Sequence, residues 1–145
     1  MPPPMSRPPS SGDYSERRVL RDERTDIDEV QAQVATQLAS LGYEPTACWA
    51  IRLALEEALR NAFRHGNKND PKKTVRFMCR ISARETYFEV EDDGPGFDPA
   101  TVPDPTHDEN IEIPSGRGIM LIKAYMSEVE YLPPGNRLAM TYRRE

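Results

Sequence analysis

The chain has 145 residues, 37% of them hydrophobic, which suits one compact domain with a core of its own. Its formal net charge of −5 argues against general nucleic-acid binding, which needs clustered Lys and Arg to replace phosphate counterions. Cys48 and Cys79 lack CxxC spacing, His65 and His107 add no zinc-ligand pattern, and no apolar run is long enough for a signal-peptide core or a membrane span. A soluble, cytoplasmic protein is expected.

Residues 1–15, MPPPMSRPPSSGDYS, hold five of the 14 prolines and almost no large apolar side chain, so they read as a disordered tail. A single domain follows over residues 16–145. Residues 16–23 read as a charged edge strand. Thr25-Asp26-Ile27-Asp28 resembles a capping box. It opens a helix whose apolar positions Ile27, Val30, Val34, Leu38 and Leu41 recur every three or four residues, with Gly42 as its stop. Pro45 starts a second helix that runs to about His65, where Gly66-Asn67 breaks it.

Residues 74–81 and 86–91 read as a hairpin around 82–85. Residues 98–115 carry four prolines and many acids without periodicity, and form a long loop. A short helix is expected over 118–125, then a last hairpin of 128–132 and 137–142 around Pro133-Pro134-Gly135-Asn136. The sum is an α+β two-layer sandwich, with a mainly antiparallel (mixed) sheet and helices on one face.

The second helix is the most informative stretch. Ile51, Ala54, Leu55, Ala58, Leu59 and Ala62 form one apolar arc that must face the sheet. Glu57, Asn61 and His65, spaced i, i+4 and i+8, make a polar stripe beside it. An Asn carbonyl oxygen there can meet a hard cation such as Mg2+, and a Glu can take a proton from a hydroxyl. The same residues also read as an ordinary solvated helix rim, with His65 as a C-terminal cap.

Two glycine pairs follow. Asp92-Asp93-Gly94-Pro95-Gly96-Phe97 ends a strand but does not return at once to another. Its glycines therefore suit close backbone approach better than a two-residue turn. A carboxylate at that strand end could accept a hydrogen bond from an exocyclic amine such as adenine's, or could be a solvated Asp opening a loop. Ser115-Gly116-Arg117-Gly118-Ile119 lies at the start of a helix, where free N–H groups and missing side chains favour phosphate. No P-loop and no dinucleotide fingerprint is present.

Taken in order, Glu57-x-x-x-Asn61, Asp92-x-Gly94-x-Gly96 and Gly116-x-Gly118 resemble the nucleotide-binding boxes of the GHKL (Bergerat-fold) superfamily. That superfamily holds histidine kinases, Hsp90, MutL and type II topoisomerases. The chain looks most like the small serine kinases that act as bacterial anti-sigma factors. The likeness rests on Glu57-Ala58-Leu59-Arg60-Asn61-Ala62 with His65-Gly66, on Gly96-Phe97-Asp98-Pro99 and on Gly116-Arg117-Gly118-Ile119, and it spans roughly residues 17–143.

The resemblance implies a set of roles. Asp92 would hold the adenine amine, and Gly94 and Gly96 would line the base. Asn61 would coordinate Mg2+, and Gly116 and Gly118 would flank the phosphate end of a lid at 98–115. His65, Phe97, Arg117 and Ile119 would border the ATP site. Glu57 would be the general base toward a serine of a protein substrate. That substrate would be an anti-anti-sigma (STAS) protein. A sigma factor would be the alternative partner, and the chain would form a homodimer. Two other readings share these boxes: a non-catalytic ATP-binding regulatory module, and a histidine-kinase catalytic domain acting in trans.

Several features depart from that pattern. Asp93 follows Asp92, so the adenine carboxylate is set by motif register alone. The lid carries Asp104, Asp108, Glu109 and Glu112 but no Lys, which leaves Arg117 as its cation. Arg64 could also help the phosphates, although on a helix face it reads as solvated.

Overall fold

A computed structural model describes residues 13–95, 114–133 and 136–144. Strand β1 (Tyr14–Leu20) leads to helices α1 (Glu23–Ser40) and α2 (Pro45–Asn61), and a π turn (Ala62–Gly66) extends α2. Strands β2 (Val75–Ile81) and β3 (Glu85–Glu91) come next, followed by helix α3 (Pro114–Tyr125) and strands β4 (Glu128–Leu132) and β5 (Arg137–Arg143). The five strands form one sheet in the order β1-β2-β3-β5-β4. Every pairing among the described residues is antiparallel, so the mixed character allowed for from sequence does not appear.

Register explains why the helices cover one face. Phe77 lies opposite Val90, and Cys79 opposite Phe88. Phe88 in turn faces Met140, and Val90 faces Leu138. All of these are buried, together with Ile51, Ala54, Leu55 and Leu59 of α2 and Ile27, Val30, Val34 and Leu38 of α1. Each Val, Leu, Ile, Phe or Met side chain among them contributes about 1.5–3 kcal/mol by leaving water. The alternate residues Arg76, Arg80, Tyr87, Glu89 and Glu91 fall on the opposite face and are only half-buried. Among the described residues no helix is long and apolar enough to cross a membrane.

Boundaries differ from the sequence reading where side chains cap or pair at a distance. Tyr14 and Ser15, read as tail, pair with Ile81 and Arg80 in β1. Residues 1–12 lie outside the described residues. Helix α1 starts two residues before the expected box. Asp22 is its N-cap and accepts from the Thr25 N–H, while Asp26 reaches back to accept from the N–H groups of Arg21 and Asp22. The box exists, but a capping aspartate opens it. Gly42 ends the segment at φ +77°, a conformation that suits glycine. Helix α3 begins at Pro114, not at residue 118, because proline suits a first turn and its glycines are tolerated inside. Trp49 of α2, 54% exposed, packs edge-on against Tyr125 of α3, with ring centroids 5.3 Å apart.

At one end of the sheet a polar cluster closes the fold. Thr86 donates to the Tyr43 hydroxyl, which donates to the Ser82 carbonyl. Arg144 lies over the Tyr43 ring, 4.4 Å from its centroid. Its guanidinium donates to the carbonyls of Leu41, Gly42 and Ala83 and to the Glu44 carboxylate.

Candidate functional site

The candidate site lies at the other end, where the π turn after α2 meets the residues that follow β3. Glu57 and Asn61 sit one turn apart on the half-buried flank of α2, next to the buried Ala58. The Asn61 Nδ2 atom is buried and has no hydrogen-bond partner among the described residues. Such a group costs about 1–3 kcal/mol unless something else pairs with it. A half-turn of the amide exchanges its N–H2 for its carbonyl oxygen, so Asn61 can present either to a ligand or a cation. Glu57 is half-buried and makes no hydrogen bond to the described residues.

His65, third in the expected stripe, lies in the π turn. There the Asn67 N–H reaches back five residues to the Ala62 carbonyl (2.9 Å), and the wider spacing takes His65 out of the α-helical progression. Desolvation first, and then the Arg64 guanidinium, hold the His65 pKa below its usual value, while Glu57 pulls it upward. Arg64 is not simply solvated. It grips Glu23 at the start of α1, with Nε and Nη2 at 2.7 and 2.6 Å from one carboxylate oxygen.

The π turn delivers Gly66 to the end of β3. A Cβ on Gly66 would fall on the Asp92 carboxylate, and a Cβ on Gly94 would fall on the Gly66 carbonyl oxygen. Only glycine at both positions permits this approach. The contact places Asp92, from one element, against the end of the helix that carries Asn61.

The two adjacent aspartates divide their roles. Asp93 accepts from the Thr74 N–H (2.9 Å) and pairs with Arg76 (2.8 Å). Those partners, the Thr74 N–H foremost, hold its carboxyl below the usual range. Asp92 turns inward. Its Oδ1 accepts from the Gly94 N–H (2.7 Å), and its Oδ2 has no hydrogen bond among the described residues. Burial is the main cause that raises its pKa; the Gly94 N–H opposes this, and Asp93 adds to it. A desolvated carboxylate with a spare lone pair is the group that can accept from a ligand N–H.

Sequence reasoning missed three neighbours: Asn67, Arg76 and Asn136. Asn67 is 1% exposed; its Oδ1 accepts from the Asp93 N–H (2.7 Å) and its Nδ2 donates to the Thr74 carbonyl (2.9 Å). Arg76 donates to the Asp92 carbonyl (3.1 Å). Asn136 donates to the same carbonyl (2.8 Å), and its own carbonyl accepts from the Asp92 N–H (2.9 Å). In the sequence Asn67 is readable only as part of the Gly66-Asn67 helix break, and Asn136 only as part of a turn.

Gly96, Phe97 and the lid residues 98–113 lie outside the described residues, as do Pro134 and Gly135 of the last turn. Gly116, Arg117, Gly118 and Ile119 fall within α3, one turn further into the helix than expected, and their side chains are outside the description. Among the candidate residues, the described contacts join Asp92 and Gly94 to Gly66, five residues beyond Asn61.

Comparison with known proteins follows the same direction. The family described as histidine kinase-like ATPase domain matches residues 20–142. No curated protein matches the chain. A solved structure, the RsbU and RsbW domains of Rv1364c from Mycobacterium tuberculosis, shares its fold at 19% identity and a TM-score of 0.57. The alignment covers 88% of this chain and 32% of that one, so this chain spans about a third of its length. With the match running from the end of β1 into β5, the chain belongs to the histidine kinase-like ATPase family.

Proposed function

We propose that the chain is an ATP-dependent serine-protein kinase that acts as a cytoplasmic anti-sigma factor. It phosphorylates a STAS-type anti-anti-sigma protein, binds a sigma factor as its alternative partner, and works as a homodimer. One arrangement supports the nucleotide part: two glycines hold Asp92, a carboxylate with an oxygen unused among the described residues, against the π turn that follows α2, and α2 ends at Asn61, whose buried amide has no partner among those residues. The kinase class and the partners rest on the resemblance of the three motifs to anti-sigma kinases. The fold likeness to a protein with an RsbW domain supports the same reading.

The residues fit ATP and Mg2+. Asp92 accepts from the adenine 6-amino group, and it disfavours guanine, whose 6-oxo group would set acceptor against acceptor. By the motif resemblance, Gly94 and Gly96 would leave room for the base, and His65, Phe97 and Ile119 would border it. Asn61 offers its carbonyl oxygen to Mg2+, which when bound neutralises phosphate charge. Gly116, Gly118 and Arg117, at the start of α3, serve the phosphate end. Glu57 takes the proton of a substrate serine hydroxyl as its oxygen bonds the γ-phosphorus. The P–O bond to the leaving phosphate breaks, and ADP departs with that electron pair.

The test uses labelled ATP with Mg2+ and a candidate STAS partner. Acid-stable phosphoserine is expected, and Glu57→Gln is expected to abolish transfer while leaving ATP affinity unchanged. Calorimetry that detects no ATP uptake overturns the reading. ATP uptake without phosphoserine leaves a binding module, and acid-labile phosphohistidine points to a histidine kinase.

A further inference from the structure

Between the two ends of the site lies a segment with no assigned role. After the π turn the chain reverses through Lys68 and Asn69, two non-glycine residues with φ of 53° and 59°. Consecutive left-handed residues of this kind are costly and persist only where the surroundings hold them. The hold comes from Asn67. Its buried side chain spends both ends of its amide, one on the Asp93 N–H at the exit of β3 and one on the Thr74 carbonyl at the entry of β2. The Asn69 N–H adds a bond to the Phe63 carbonyl (2.9 Å) within the π turn. One side chain therefore ties the end of α2 to two strands.

From the other side Asn136, between β4 and β5, holds Asp92 by its peptide. It takes the Asp92 N–H and gives its side-chain N–H to the Asp92 carbonyl. The backbone of residues 92 and 93 is thus fixed on both flanks, while the Asp92 carboxylate stays uncommitted at Oδ2. Asn61 is rooted in α2 and Asp92 in the strand end, so the Asn67 bridge sets their spacing.

We infer that Asn67 and Asn136 are positioning residues that fix the Asp92 carboxylate relative to Asn61, and that they determine the preference for an adenine over a guanine nucleotide. This rests on the ATP reading above. Neither residue needs to touch the nucleotide. Without the bridge, the Asp92 carboxylate can retreat from the amine of adenine and from the 6-oxo group of guanine alike. Discrimination then falls, while contacts to the phosphates, made from Asn61 and α3, remain.

The experiment measures dissociation constants for Mg-ATP, Mg-GTP and Mg-tripolyphosphate by calorimetry, with circular dichroism as a check of folding. The wild type should prefer ATP to GTP. Asn67→Ala should reduce that preference roughly tenfold while leaving tripolyphosphate affinity unchanged. Asn136→Ala removes one side-chain bond from a half-buried turn and should shift the ratio the same way by less. If Asn67→Ala does not fold, the Asn136→Ala ratio decides. A folded variant whose ATP-to-GTP ratio stays at the wild-type value overturns the inference. So does an equal loss of ATP, GTP and tripolyphosphate, which marks general loosening. A wild type that binds tripolyphosphate but no purine nucleotide overturns the ATP reading and this inference together.

Discussion

Strand β3 ends in a polar network at both of its termini, and the two networks differ in one respect. At the Glu85 end, Thr86, Tyr43, Ser82 and Arg144 form a closed set in which the buried hydroxyls and the guanidinium all find partners. At the Glu91 end, equally dense bonding around Asn67, Arg76, Asp93 and Asn136 leaves the Asp92 Oδ2 and the buried Asn61 Nδ2 without a hydrogen bond among the described residues. Buried polar groups are nearly always paired, so on the proposed ATP reading the open end is where a ligand completes the set. On that reading one terminus serves stability and the other gives some of it up for binding.

The largest way to break this contrast is Gly94→Ala. The new Cβ meets the backbone oxygen of Gly66, which cannot rotate away, so the open end should lose its geometry. Chemical denaturation should report a loss of about 3 kcal/mol, and calorimetry should find no ATP binding. At the closed end, Arg144→Ala removes four side-chain hydrogen bonds and the stack on Tyr43. Stability should fall by about 2 kcal/mol with ATP affinity unchanged.

Asn61→Ala sharpens the contrast by its sign. Removing a buried amide that has no partner should leave the free protein as stable as before, or more so by about 1 kcal/mol. Mg-ATP affinity should fall nonetheless. The smallest effect is the acid titration of the twin aspartates, followed by carboxyl NMR. Asp92, raised by burial, should titrate above Asp93, lowered by Thr74 and Arg76. The Asp92 proton is held more tightly in the folded state, so its contribution to stability is greatest at low pH and wanes as pH rises through its folded pKa. Asp93 behaves in the opposite sense: its contribution is present above the ordinary carboxylate pKa and is lost as pH falls through its own. Equal titration midpoints would contradict the division of roles between them.

Much of the fold was legible because each element announces itself locally. Period-three-and-four apolar spacing marks α1 and α2, and alternation marks β2 and β3. The Glu57 and Asn61 pair was legible for the same reason, since one helix places both. What joins them to Asp92 was not. Gly66 and Asp92 meet across 26 positions of chain, and the π turn that brings them together has no local code beyond a helix break. Asn67 and Asn136 look like ordinary turn residues until the strand end between them is in view. The N-cap of α1 was misplaced because Asp22 competes with Thr25 for the same duty, and only the backbone decides.

The chain has a single tryptophan, and its indole rests against the tyrosine that closes α3. Indole emission depends on such a neighbour, so the molecule has a built-in optical gauge of whether that helix stays seated. A change of colour at Trp49 would therefore register displacement of the Tyr125 end of α3 without any added label.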